Sequence, residues 1–283
     1  MGSYRKGAVV VMKGKESRWL DLFFIIYILT IILPVLYVVT ISFGSSSGMY
    51  TSSLIPKSFT LNNYIRLFTE TDYPRWFLNS FLVSGSTVLI SVLLISFSGY
   101  IFSRIDFYGQ KKLLNFFMLL QIFPLTMSMV AVYKIMQALG LINSLSGLVI
   151  LYIGMTTPFS IWLVKGYMDS IPRSIDESAR IDGAGRLRIF FRFILPLSRP
   201  VLVVVAVNNF IASYSEYVLG NVLMTKQQNY TVAVGLRTFV EGRFGANWPV
   251  FTAGAVLSSI PALILFYLIQ DWFVSGLVTG AMD

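Results

Sequence analysis

The sequence predicts an all-α polytopic membrane protein of about six transmembrane helices, and three observations carry that prediction. Of 283 residues, 55% are apolar and only 12% charged, about half the charged share of an ordinary soluble domain. Charge-free apolar windows recur at about the 20-residue length that a helix needs to cross a bilayer core. Neither Cys nor His occurs, which excludes disulfide frameworks, thiol nucleophiles and the usual zinc and haem ligand sets. A mean hydropathy of +0.72 agrees with a chain solvated mainly by lipid.

The first window, Leu22 to Phe43, opens a run without charge that continues to Pro56. Basic residues precede it, as they precede a secretory signal. Its apolar part exceeds the roughly 7–15 residues of a signal h-region, so an uncleaved anchor is expected. Phe77 to Phe102 is the second span and Leu113 to Tyr133 the third, with Gln121 and Pro124 marking a kink. Leu141 to Val164 contains the fourth. The fifth runs from Pro200 past Glu216 to Leu223. Phe244 to Gln270 holds the sixth, from Phe251 onward, with a second kink at Pro261. Residues 1–19 then form an N-terminal segment and 20–283 the membrane domain.

Lys and Arg orient the spans. Arg5, Lys6, Lys13, Lys15 and Arg18 precede span one, and Arg104, Lys111 and Lys112 follow span two. Seven more lie between spans four and five, giving fifteen on one side against seven on the other. The positive-inside rule makes the first side cytoplasmic, together with both termini. The net charge of +9 thus reads as basic cytoplasmic loops meeting membrane lipid and not as a nucleic-acid surface.

The cytoplasmic loop at about 165–199 contains the most polar stretch of the chain, "DESARIDGAGRLRIFFRFILPLSRP" at 176–200. Ser174-Ile175-Asp176-Glu177 has the form of a capping box, with Glu177 reaching back to the Ser174 amide. Asp176 and Glu177 suit the positive end of a helix. Gly183 and Gly185 flank Ala184 and predict a stop with a left-handed backbone. Arg186 to Phe193 forms a second helix, and Pro196 and Pro200 set it apart from span five. Ile181, Leu187, Phe190 and Ile194 supply apolar knobs. Basic charge alone would be a solvated topological loop; a capped helix, a small-residue break and an amphipathic second helix point to a docking element.

Glu177-Ser178-Ala179, Asp182-Gly183-Ala184 and Leu195-Pro196 resemble the "EAA" loop of permease subunits of binding-protein-dependent ABC importers. That pattern is Glu-Ala-Ala, two residues, Asp-Gly-Ala and a later Leu-Pro, and only Ser178 departs from it. The stretches "GLINSLSGLVILY" at 140–152, "NNFIASYSEYVLGNVLM" at 208–224, "TVAVGL" at 231–236 and "SSIPALILFYLIQDWFVSGLVTG" at 258–280 are similar to the smaller, six-span permease of maltose and maltodextrin transporters. Many carbohydrate permeases carry Trp-Asn-Glu where this chain has Tyr214-Ser215-Glu216. The resemblance covers about residues 18 to 283. It implies a type I ABC importer permease fold and a multi-pass place in the cytoplasmic (inner) membrane. The implied partners are a second homologous permease, two ATP-binding subunits and an extracytoplasmic sugar-binding protein. The 165–199 segment would be the coupling loop seated in an ATPase groove. Maltose or maltodextrin is the leading substrate; another oligosaccharide, a polyol or a uronic-acid oligomer stays open within the same family.

No Gly-x-x-x-x-Gly-Lys-Ser/Thr occurs, so ATP and Mg are expected on the partner ATPases, with no cofactor, metal or catalytic group on this chain. An ion-coupled secondary transporter would need paired mid-membrane charges and an inverted repeat, and neither is visible. Glu216 is an acid inside a predicted span, about 24 Å above Pro200 at 1.5 Å per residue, and is a candidate for the translocation path or outer gate together with Asn209 and Tyr214. The rival reading is an interfacial anchor or an interhelical bond, with Asn208 and Asn209 as glue. The outward loop from Asn221 to Pro249 exceeds an ordinary helix connection of about 2–8 residues. Its tip, "VEGRFGANWP", has the bent, aromatic and polar composition of a contact loop. Glu241, Arg243, Phe244, Asn247 and Trp248 are the candidates there, and the resemblance implies contact with the sugar-binding protein.

Overall fold

A computed structural model of the protein describes residues 15–45, 58–122, 127–241 and 247–279, with backbone alone at 15–18 and 271–279. Among the described residues the long elements are all helices. Four of them, Trp19–Ser42, Tyr73–Arg104, Leu145–Ser170 and Trp248–Gln270, are long and apolar enough to cross a membrane, and a bent pair, Arg186–Leu197 with Arg199–Tyr214, can supply a fifth.

Helix α1 spans Lys15–Ser42, and its outward-facing apolar residues, such as Phe23 and Leu33, are the surface a lipid-facing helix presents. The short α2, Asn62–Thr69, docks on its end: the Asn63 amide donates to the carbonyls of Ser42 at 2.9 Å and Gly44 at 2.8 Å. The centre of the molecule is α3, Tyr73–Arg104, which opens with Pro74 in its first turn, where a missing amide proton costs nothing. Its buried face is a stripe of small residues, including Ser84, Thr87, Ser91, Ser96, Gly99 and Ser103. Small residues let membrane helices approach closely. A Cβ at Gly99 would come within 2.7 Å of a Val164 methyl on the facing helix, so that crossing depends on glycine.

The third predicted span is not one helix. It consists of α4, Gln110–Leu120, and α5, Met129–Ala138. Apolar composition continues across both, but composition does not report whether the backbone ladder continues. Pro124, which lacks the amide that ladder needs, falls outside the described residues. The fourth span, α6, Leu145–Ser170, contains Pro158 and packs along α3 and α4.

After α6 come α7, Ser174–Ile181, and α8, Arg186–Ile189. A π-helical turn, Phe190–Ile194, leads into α9, Leu195–Leu197, and α10, Arg199–Tyr214. The axis turns by 73° at the Ser198 junction. Pro196 and Pro200 each remove an amide from the ladder there, which accounts for both the π turn and the bend.

The fifth predicted span also breaks. Helix α10 stops at Tyr214, and α11, Val218–Leu223, starts afresh. Ser213 and Ser215 turn their hydroxyls back to the carbonyls of Asn209 and Ile211, at 2.7 and 2.6 Å. Such back-bonding competes with helix continuation. A 3-10 turn at Gln227–Asn229, then α12, Val232–Arg237, lead to α13, Trp248–Thr279, which holds Pro261.

Two buried apolar clusters define the ends of this bundle. At one end Ile161, Val164, Met168, Ile189, Phe190 and Ile194 pack under α7 and α8. At the other, Leu67, Tyr73, Trp76, Val232 and Val250 join α2, α3, α12 and α13. Helix α3 connects them. Its Trp76 indole donates to the Gln227 carbonyl at 2.9 Å at one end, and Tyr100 donates to the Arg186 carbonyl at 3.3 Å at the other.

Candidate functional site

The charged loop is built on α7. The predicted capping box does not form: the helix already includes Ser174, and the residue before it, Arg173, makes no side-chain cap. Pro172 pre-sets the entry, and the Glu177 amide bonds to the Arg173 carbonyl at 3.0 Å, so the chain enters helical geometry one residue earlier than a Ser174 cap requires. The stop is the predicted one. Gly183 has φ +79°, the Ala184 amide reaches the Ala179 carbonyl at 2.9 Å, and the Gly183 amide reaches the Arg180 carbonyl at 3.0 Å. This pair of bonds is the Schellman closure that a left-handed residue makes available.

Around that stop, Glu177, Ser178, Asp182 and Gly183 are exposed, Ala184 is half-buried and Ala179 is buried. A hollow of about 290 Å³ is lined by Ser174, Ile175, Ser178, Ala179, Asp182 and Phe193. Ile181 is 87% exposed and Leu187 67%, so these two are free apolar knobs. Phe190 and Ile194 are not: both are buried in the cluster below, where Phe190 lies against Tyr100 with ring centroids 5.1 Å apart. Their spacing turns them inward, as the core side of an amphipathic segment. Leu195 and Pro196 are half-buried where that segment turns into α10.

An ion pair fixes this surface to the bundle. Arg104, the last residue of α3, donates through Nε to Asp176 Oδ2 at 3.0 Å, and the two side chains are only 3% and 5% exposed. The same guanidinium donates to the Ile171 carbonyl at 2.8 Å and to Ser103 Oγ at 3.1 Å. Ser103 in turn donates to Asp169 at 2.7 Å, which also takes an ion pair from Lys165. Sequence reading placed Asp176 in a helix cap and Arg104 among the topological charges. Their pairing left no local signal, because 72 positions separate them.

At the opposite end, Asn143 acts as a clasp. It adopts φ +58°, and its side-chain oxygen accepts from the amides of Thr225 at 2.6 Å and Lys226 at 2.9 Å. Its carbonyl accepts from Asn229 at 2.6 Å. The α5–α6 turn is thereby fastened to the segment after α11. Of the contact-loop candidates, Arg243 and Phe244 lie outside the described residues. Glu241 pairs with Arg237, whose guanidinium also stands 5.7 Å over the Tyr217 ring. The hydrogen bond to Glu241 raises the Arg237 pKa above its already high ordinary value. Asn247 accepts from the Val250 amide at 3.3 Å at the start of α13, and Trp248 meets Phe251 edge-on at 5.6 Å.

The three path candidates go to three different places. Glu216 falls in the break between α10 and α11. It accepts from the Leu219 amide at 2.9 Å, the Gly220 amide at 3.0 Å and the Tyr152 hydroxyl at 2.8 Å. A carboxylate bonded to the first amides of a helix is a cap. Tyr214 is buried against Phe210 and Phe81, with no partner for its hydroxyl among the described residues. Asn209 joins three helices, donating to Ser91 of α3 at 3.1 Å and accepting from Ser160 of α6 at 3.4 Å.

Comparison with known proteins agrees with this geometry. Residues 91–279 match the family described as the binding-protein-dependent transport system inner membrane component. The chain is 40% identical to the galactooligosaccharides transport system permease protein of Bacillus subtilis, over 94% of this chain and 97% of that one. It is 37% identical to the maltodextrin transport system permease protein of the same organism, over 95% and 99%. A crystal structure of a bacterial ABC transporter involved in the import of the acidic polysaccharide alginate contains a chain of the same fold, with a TM-score of 0.80 at 22% identity, over 93% of this chain and 99% of that one.

Proposed function

The chain belongs to the inner membrane components of binding-protein-dependent transport systems, a multi-pass transport subunit and not an enzyme, and from that premise we propose that it is one permease of an ATP-driven oligosaccharide importer. The observation that carries the sugar class is near-full-length identity, 40% and 37%, to two permeases named for oligosaccharide transport. Maltodextrin-type glucans are the first reading, because the segments at 140–152, 208–224, 231–236 and 258–280 resemble that subfamily. Galactooligosaccharides are the second, favoured by the 40% relative.

In this reading the chain pairs with a homologous permease, and two cytoplasmic ATPases carry the ATP and Mg. The α7–α8 surface is the coupling loop. Glu177, Ser178, Asp182, Gly183 and Ala184 form its docking face, with the exposed Ile181 and Leu187 as apolar anchors. Leu195 and Pro196 pass its motion into α10. Closure of the ATPases moves α7, and the Arg104–Asp176 pair makes α3 move with it. The two states are inward-open and outward-open arrangements of α3, α6 and α10, biased by nucleotide. In this reading both termini are cytoplasmic, which the excess of Lys and Arg in the loops assigned to that side supports. On the same reading the 241–248 tip faces the sugar-binding protein on the far side, Glu216 and Tyr214 stand toward that outer end of the path, and Asn209 lies nearer its middle.

The test is to titrate the cognate binding protein with a sugar panel and then measure uptake of the tightest ligand through the full complex. Maltotriose-length glucans binding at least tenfold tighter than galactooligosaccharides support the first reading, and the reverse order supports the second. A binding protein that takes no sugar contradicts both.

A further inference from the structure

A groove of about 250 Å³ opens on one face of the bundle between α4, α6 and α10. Gln121, Thr156, Ser160, Asn208 and Asn209 give it five amide or hydroxyl side chains, and Phe159 gives it an aromatic wall. Among the described residues, no charged side chain lines it. Its polar residues share one depth. Gln121 follows the eleven residues of α4, Ser160 lies ten residues before the end of α6, and Asn208 lies ten residues past Ser198. At 1.5 Å per residue each is about 15 Å from the charged-loop end, near the middle of a hydrocarbon core about 30 Å thick.

Three observations argue against lipid as the occupant. Asn208 is exposed, and its amide makes no hydrogen bond among the described residues. Unsatisfied amides do not face hydrocarbon at that depth. Helix α4 ends beside the groove at Gln121, which donates to the Met155 carbonyl at 3.1 Å; a helix end at mid-membrane depth is tolerated where it borders protein or a water-filled cavity. Pro158 withholds the amide that the Gly154 carbonyl would have bonded, one turn from the groove wall.

We propose that this groove is a sugar-contacting part of the translocation path contributed by this chain, with Asn208 and Gln121 as its hydroxyl-recognising residues and Phe159 as the ring face. The ligand class follows from the lining. A neutral polyhydroxyl compound offers hydroxyls to amides and a C–H face to an aromatic ring. Phe159 is 48% exposed, and its ring is inclined by 27° to that of Trp162, with centroids 6.4 Å apart. The inference rests on the sugar reading above, but its position in the path does not.

The absence of cysteine from this chain supplies the probe. Asn208→Cys is introduced into the full complex, with partner subunits free of cysteine, and treated with a charged, membrane-impermeant thiol reagent in each nucleotide state. The expected result is modification in at least one state, slowed about tenfold or more by the imported sugar. In parallel, Gln121→Ala and Asn208→Ser each lower uptake by about fivefold to tenfold, the size expected for one lost hydrogen bond. A thiol modified only after denaturation means that a partner helix or lipid fills the groove, and overturns the proposal. Modification without sugar protection, in a complex that imports that sugar, overturns the sugar contact. A wild-type complex that imports no sugar instead overturns the proposed function, and a separate uptake assay reads that failure.

Discussion

Gly183 is where sequence and structure meet most directly at the residue scale. Its φ of +79° is one that a β-branched residue avoids, while nothing lies within 4 Å of a Cβ placed there. The barrier to substitution is therefore backbone strain alone, about 1–3 kcal/mol for Val and less for Asn, which tolerates the left-handed region. Gly183→Val is expected to insert into the membrane normally but to lose the ATPase on co-purification, and Gly183→Asn to keep most of it. Equal ATPase recovery from wild type and Gly183→Val would contradict this. The Arg104–Asp176 pair makes a second residue-scale prediction. Removing one partner of a buried ion pair costs about 3–5 kcal/mol, whereas apolar replacement of both is far milder. Arg104→Met should therefore lower the melting temperature of the detergent-purified complex more than the double change Arg104→Met with Asp176→Leu. A larger loss in the double variant would show that the pair does not act as a unit.

At the element scale, the sequence was legible where apolarity and helix length coincide. Spans two and four appear as α3 and α6: α3 runs a few residues beyond its window at both ends, because Tyr73, Pro74 and Arg104 extend a helix whose middle alone must be apolar, while α6 begins inside its window at Leu145 and runs on to Ser170. The same signal misread spans three and five, since a window average does not detect a break. The cause at span five is chemical: the Ser213 and Ser215 hydroxyls back-bond to the Asn209 and Ile211 carbonyls in the last turn of α10, which favours a bend there, and Glu216 satisfies the amides that begin α11. Within the site, the motif spacing marked the exposed face of α7 and its glycine stop. It was silent on Arg104, Asn143 and the Asn208 groove, each of which exists only through contacts distant in sequence. Helix α11 carries its own prediction. Glu216→Gln replaces an acceptor that takes three hydrogen bonds with an amide whose nitrogen must face a donor. It should destabilise α11 by about 1–3 kcal/mol, read as faster amide exchange at Leu219 and Gly220. Unchanged exchange with slowed sugar uptake would instead favour a role for the carboxylate in the path.

For the whole molecule, α3 is a long element that touches both ends. It is pinned to α7 through Arg104 and to the opposite loops through Trp76 and Asn79, whose amide donates to the Gln228 and Tyr230 carbonyls at 3.0 and 2.9 Å. A push on the charged loop therefore reaches the far surface through a single helix about 48 Å long at 1.5 Å per residue, with α6 and α10 carried along by the small-residue stripe. Under the proposed function, such a device converts nucleotide-driven closure into access from the other side without an ion gradient. The most direct measurement of that claim is sugar uptake into proteoliposomes holding this chain, its partner permease, the ATPases and the binding protein, with an ionophore mixture collapsing all gradients. The account predicts that uptake continues with ATP on the loop side, stops without ATP and is lost in Gly183→Val. Uptake that persists without ATP and vanishes with the ionophores would contradict it.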